Sequence, residues 1–158
     1  MASRAPRLSL AVQYLVSAAG LPSASMLRRW ARSALARDAR VTLRFVGRRE
    51  GQTLNALYRG KDYATNVLTF VYDDAGRLEG DIVLCAPVLR QEAKVQGKTL
   101  ARHCAHLVVH GMLHLQGYDH GTRRTAQTME ARETAILAAL SVPDPYVDTG
   151  RAPIRARA

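Results

Sequence analysis

The chain has 158 residues, 47% of them apolar, which suits one domain with a sizeable core. It contains no run of about eighteen apolar residues, and that excludes a membrane-spanning helix. The formal charge is +10 and arginine supplies 20 of the 23 basic residues; such a charge favours polyanions, above all nucleic acid, although it also fits a merely solvated arginine-rich surface.

Leu8, Leu10 and Val12 alternate and predict a first strand over 7–14. Arg4 and Arg7 ahead of an apolar run, small residues at Pro22-Ser23-Ala24-Ser25 and no acid before Asp38 imitate a targeting segment. Gln13 and Tyr14 interrupt that run, so a strand of the domain is the preferred reading. Ser25 is placed as the cap of a helix reaching about Arg37, with Met26, Leu27, Trp30 and Leu35 inward and the arginines outward. Val41 to Val46 alternates as a second strand, and Leu54, Leu57 and Tyr58 predict a short helix ended by Gly60. A third strand over 67–72 leads through a turn at Asp73-Asp74-Ala75-Gly76 to a fourth over 81–85, broken by Pro87. Helices follow over about 88–95, 99–116 and 122–140, with Gly97 separating the first two. Residues 1–146 are read as a single domain, and the basic residues 147–158 as a mobile tail. Strands early and long helices late predict an α+β fold: about four strands in a mixed sheet, packed against helices. Cys85 and Cys104 match neither a metal-ligand pair nor a disulfide framework; they read as small core residues of a reducing, cytosolic compartment.

The chemistry gathers in His110-Gly111-Met112-Leu113-His114-Leu115-Gln116-Gly117-Tyr118-Asp119-His120. His110 and His114, four apart, stack on one helix face. Gly117 can end that helix in a left-handed turn, so the chain can fold back and bring His120 alongside. Three neutral imidazoles with an open fourth position suit a catalytic Zn²⁺ at the C-terminal end of a central helix, and imidazole also suits copper, iron and nickel. The spacing His-x-x-x-His-x-x-Gly-x-x-His is the metal frame of a metzincin peptidase, but the position of its general-base glutamate is Gly111, which transfers no proton. His106 extends the stripe by one turn. One helix face does not easily present three successive turns to one ion, so His106 is read as orienting a ligand or facing substrate, and His103 as a surface residue. Asp119 is read as holding the loop or orienting an imidazole.

The stretch from His106 to His120 resembles the signature of the YbeY family, bacterial metal-dependent endoribonucleases of ribosomal RNA maturation. Leu54-Asn55 with Tyr58-Arg59 resembles the family's arginine segment, and Thr65-Asn66-Val67-Leu68-Thr69-Phe70 is similar to its Thr-Asp-Val-Leu-Ser-Phe strand. Gly80-Asp81-Ile82-Val83 matches its Gly-Asp-Ile strand, and Met129, Glu130 and Glu133 resemble its C-terminal helix, so that the likeness covers roughly 5–146. Asn66 departs from the family's usual aspartate: an amide keeps a turn hydrogen bond but not a charge. The resemblance implies His110, His114 and His120 as ligands of one Zn²⁺, with Arg59 and His114 in catalysis. It further implies a single-strand-specific endoribonuclease of 16S rRNA 3′-end maturation and ribosome quality control. Its partners would be ribosomal RNA, the small ribosomal subunit and associated assembly proteins, in the cytoplasm and without a membrane.

In that reading the zinc is a Lewis acid or water activator, and Arg59 is a planar, permanently charged phosphate clamp. The base stays open: His106 is one candidate, a metal-bound hydroxide that needs no separate base is another, and either water or the RNA 2′-hydroxyl can attack. Two rivals share the frame. One is a non-catalytic ribosome-assembly factor with a structural zinc; the other is a zinc peptidase, against which the missing glutamate and the net charge argue.

Overall fold

The computed structural model describes residues 4–73 and 75–146. In chain order these form β1 (Leu8–Tyr14), α1 (Ala24–Ser33), β2 (Ala39–Val46), α2 (Arg48–Arg59), β3 (Val67–Asp73), β4 (Leu78–Cys85), α3 (Ala86–Gln96), α4 (Leu100–Leu115) and α5 (Arg123–Ala139). The strands lie in the order β1-β2-β4-β3. β1, β2 and β4 run parallel and β3 is antiparallel to β4, so the sheet is mixed and four-stranded as expected. Asp74 in the predicted turn and the predicted tail at 147–158 lie outside the described residues.

Alternation along the strands decides which helix covers which face. Val41, Leu43 and Phe45 of β2 and Leu78, Ile82 and Leu84 of β4 are fully buried on one face, where they share a core with Leu27 of α1, Leu107 and Met112 of α4 and Leu137 of α5. Each such side chain contributes about 1.5–3 kcal/mol by leaving water. Val46, Leu68, Val83 and Cys85 point to the other face and meet Leu54 of α2. The helix α4 is therefore central, with twelve of its sixteen residues buried, and whatever its C-terminal end presents is held on a rigid base.

Several boundaries differ from the sequence reading. The cap of α1 is Ser23, whose hydroxyl accepts from the Met26 amide, and the helix stops at Ser33. Arg37 is outside it, and Met26 is 40% exposed rather than inward. α2 begins at Arg48, well before its apolar positions, and packs through Gly51, where an added Cβ would lie 3.2 Å from Cys85 Sγ. Pro87 does not separate β4 from α3 by a loop: it sits in the first turn of α3, where a missing amide costs nothing. Cys85 and Cys104 are free and buried, as expected. Among the described residues no helix is long and apolar enough to cross a membrane.

Candidate metal centre

α4 carries Thr99 as its N-cap and ends at Gln116, after which Gly117 turns at φ +102°. The Tyr118 amide bonds back to the Leu113 carbonyl at 3.1 Å, and Asp119 Oδ1 accepts from the Gly121 amide at 3.1 Å. Thr122 then opens α5 with a reciprocal cap to Thr125. This short reversal brings His120 back beside the helix it has just left. The ring centroids of His110 and His114 are 6.4 Å apart, those of His110 and His120 5.5 Å, and those of His114 and His120 6.1 Å. Imidazoles about 2.1 Å from a tetrahedral ion hold their centroids about 5 Å apart, so the three rings stand slightly wider than a bound ion would hold them. Among the described residues no three His, Cys, Asp or Glu already form a preformed metal cluster.

The support of this trio comes from α5. Glu133 is 0% exposed, and its Oε1 accepts from His110 Nδ1 at 2.5 Å. Its Oε2 accepts from His106 Nε2 at 3.1 Å and from the Tyr146 hydroxyl. Burial pushes the Glu133 carboxyl upward, but the hydrogen bonds from His106 and His110 outweigh it and hold the group at about 2. A buried carboxylate is tolerable only with such donors. Burial, opposed by Glu133, brings His106 down to about 4, so at neutral pH it is an uncharged donor through Nε2. The Tyr146 hydroxyl is driven well above the ordinary phenol range by burial and then by Glu133, and stays protonated.

The protonation pattern follows from these bonds. A carboxylate at Oε1 places a proton of His110 on Nδ1, with Nε2 on the opposite edge of the ring. That Nε2 is buried and has no hydrogen-bond partner. Burial first, then His110 and His120, lowers the pKa of His114 and favours its neutral form. Three imidazoles side by side, one with an unpartnered buried Nε2 and a carboxylate holding its far nitrogen, are the donor set a divalent transition metal takes.

Gly111 faces away from this group. A Cβ there would lie 3.1 Å from two carbons of Ile82 on β4, so the position is occupied by the sheet. A side chain at 111 would meet the sheet's core, which gives the missing glutamate a packing reason. His103 corrects the sequence reading: it is 0% exposed rather than at the surface, with Nε2 2.9 Å from Glu92 Oε1. Asn66 Nδ2 donates to the same carboxylate at 3.2 Å, and its Oδ1 accepts from the Val67 amide at 2.7 Å. The amide that departs from the family pattern thus supplies a donor that an aspartate would lack. His106 is buried against Glu133 and Tyr146, while Asp119 is exposed and bonded within its own loop.

Arg59 ends α2 on the face of the sheet opposite α4. Gly60 closes the helix at φ +68°, and the fully buried Asn55 donates to the Tyr63 carbonyl at 2.8 Å, which pins the following loop. One guanidinium nitrogen, Nη1, is buried without a partner. A groove of about 360 Å³ is lined by Gln116 to Asp119, after α4, and by Arg124, Thr125 and Thr128 of α5. Sequence reasoning gave Glu133 no role of its own and missed Glu92 and Tyr146. The one available signal was that Glu133 faces inward on α5, four residues on from Met129.

A sequence model described as Endoribonuclease YbeY matches residues 23–141. The Endoribonuclease YbeY of Aromatoleum aromaticum is 57% identical over 143 residues, covering 89% of this chain and 93% of that protein. Those of Nitrosomonas europaea and Thiobacillus denitrificans are 54% and 52% identical, covering 89% and 90% of this chain and 85% and 98% of theirs. A solution structure of a Thermotoga maritima protein superposes with a TM-score of 0.50 at 23% identity, over 90% of this chain and 99% of that one.

Proposed function

The chain belongs to the Endoribonuclease YbeY family, and from that premise we propose a metal-dependent, single-strand-specific endoribonuclease acting in ribosomal RNA processing. The observation that carries the metal part is the buried, unpartnered Nε2 of His110, its proton fixed on the opposite nitrogen by Glu133. His110, His114 and His120 would hold one Zn²⁺. Bound there, the ion supplies a Lewis acid for a phosphoryl oxygen or for an attacking water.

The chain's own groups do the rest. Glu133 holds the His110 ring in orientation and adds negative charge behind it. His106 keeps its Nε2 proton between Glu133 and Tyr146, which favours an orienting role over that of a base. Arg59 clamps phosphate: its unpartnered Nη1 is a donor that an anion would satisfy, and a guanidinium stays charged throughout. Since α2 packs on the sheet face opposite α4, that clamp would act on the phosphate backbone of the bound strand rather than at the ion. The net charge of +10 draws RNA as a polyanion. Residues 1–146 would form the catalytic domain, in the cytoplasm, with ribosomal RNA, the small ribosomal subunit and assembly proteins as partners, 16S 3′-end maturation and quality control as the setting, and the basic stretch 147–158 as a tail.

The test is cleavage of single-stranded and duplex RNA by wild type, Arg59→Gln and His114→Ala, purified in parallel. Cutting of the single strand only, lost in His114→Ala and reduced about 100-fold in Arg59→Gln with metal content unchanged, is expected. RNA bound but left intact by wild type would favour a non-catalytic assembly factor. Casein cut in its place would mark a peptidase.

A further inference from the structure

The buried Glu133 carboxylate is approached from α4 and also from the segment that follows α5. After Leu140 the chain reverses through Ser141, at φ 62°, and the Val142 amide bonds to the Leu137 carbonyl at 2.8 Å. Asp144 Oδ1 then accepts from the Tyr146 amide at 2.8 Å and from Thr134 Oγ1 of α5 at 3.4 Å. Residues 141–146 are thereby strapped back along α5. The Tyr146 ring arrives edge-on to His106, with centroids 5.4 Å apart, and its hydroxyl donates to Glu133 Oε2.

We infer that Tyr146 is a positioning residue for the metal centre: it fixes the plane of the Glu133 carboxylate, and through it the ring of His110. The inference rests on the metal reading above. The terminal torsion of a glutamate is broad, so one bond at Oε1 leaves the carboxylate free to turn. Two donors at Oε2, Tyr146 and His106, remove that freedom and leave Oε1 directed at His110 Nδ1. His110 Nε2 then keeps one direction. Groups behind a ligand that orient it in this way are worth roughly 10- to 100-fold in metal affinity. The strap therefore completes the site from behind, although Tyr146 lies 26 residues beyond His120 in the chain.

The experiment uses the full chain carrying Tyr146→Phe, which keeps the ring against His106 and removes only the hydroxyl. Zn²⁺ affinity is read by competition with a chromophoric chelator, and geometry by the visible spectrum of the Co²⁺-loaded protein. A Zn²⁺ dissociation constant raised about tenfold, with an altered Co²⁺ spectrum and unchanged far-ultraviolet circular dichroism, is expected. Asp144→Ala, which releases the strap but leaves the hydroxyl, should change both readouts in the same direction and serves if Tyr146→Phe does not fold. Wild-type Zn²⁺ affinity and an unaltered Co²⁺ spectrum in the folded variant would overturn the inference, since a merely structural tyrosine would lower only the melting temperature. A wild type that binds neither ion overturns the metal reading itself, and this inference with it.

Discussion

Two glutamates meet histidines of α4, and only one of them stands behind the open trio. Glu133 is 0% exposed and takes His106, His110 and Tyr146. Glu92 is 26% exposed and takes His103 and Asn66. His103 and His110 are seven residues apart, two turns along one helix, so the same pairing is used twice on nearly the same face. The difference is what lies on the far side of each ring. The far nitrogens of both rings, His110 Nε2 and His103 Nδ1, are buried without a hydrogen-bond partner, but the His110 ring stands 6.4 and 5.5 Å from those of His114 and His120. The His103 pair joins α3, through Glu92, and Asn66, the residue before β3, to α4. A buried carboxylate–histidine pair is thus not itself a functional mark; the company of the second ring nitrogen separates orientation from architecture. Lys98, drawn down to about 8 by burial with Glu92 opposing, belongs to the architectural pair.

Substitutions in the two pairs should separate these roles. Glu133→Gln has the largest expected effect: Zn²⁺ affinity, measured by chelator competition, falls about 10- to 100-fold because His110 loses its charged acceptor. Unchanged affinity there would erase the distinction between the pairs. Asn66→Asp replaces a donor to Glu92 with a second carboxylate; urea unfolding should show a loss of about 1–3 kcal/mol, with Zn²⁺ affinity as in wild type. A fall in affinity would instead join the Glu92 pair to the site. Gly111→Ala tests the packing reason for the absent glutamate. Its Cβ would stand 3.1 Å from Ile82, and thermal unfolding should register a loss of about 1 kcal/mol with the metal still bound.

The sequence made the trio legible because its geometry is local. His110 and His114 share a face by helical period, and Gly117 permits the reversal that returns His120. The mixed four-stranded sheet was legible for a similar reason: Leu8 to Val12 and Val41 to Val46 alternate as half-buried strands do. What escaped depends on contacts between distant segments. No spacing rule joins Glu133 to His110 across 23 residues, or Tyr146 to His106 across 40. The polarity of His103 predicts a surface position; Glu92, arriving from α3, reverses that preference. Helix α2 is longer than its apolar spacing predicts, since its first turns, Arg48 to Gln52, carry no apolar stripe and the small Gly51 makes the contact instead.

The most direct measurement is the metal content of the purified protein and of its His114→Ala variant, by elemental analysis after removal of loosely bound ions. One zinc per wild-type chain, and none retained by a folded His114→Ala, is the expected result. Equal zinc in both proteins, or a wild type that holds no divalent ion, would contradict a metal centre at His110, His114 and His120.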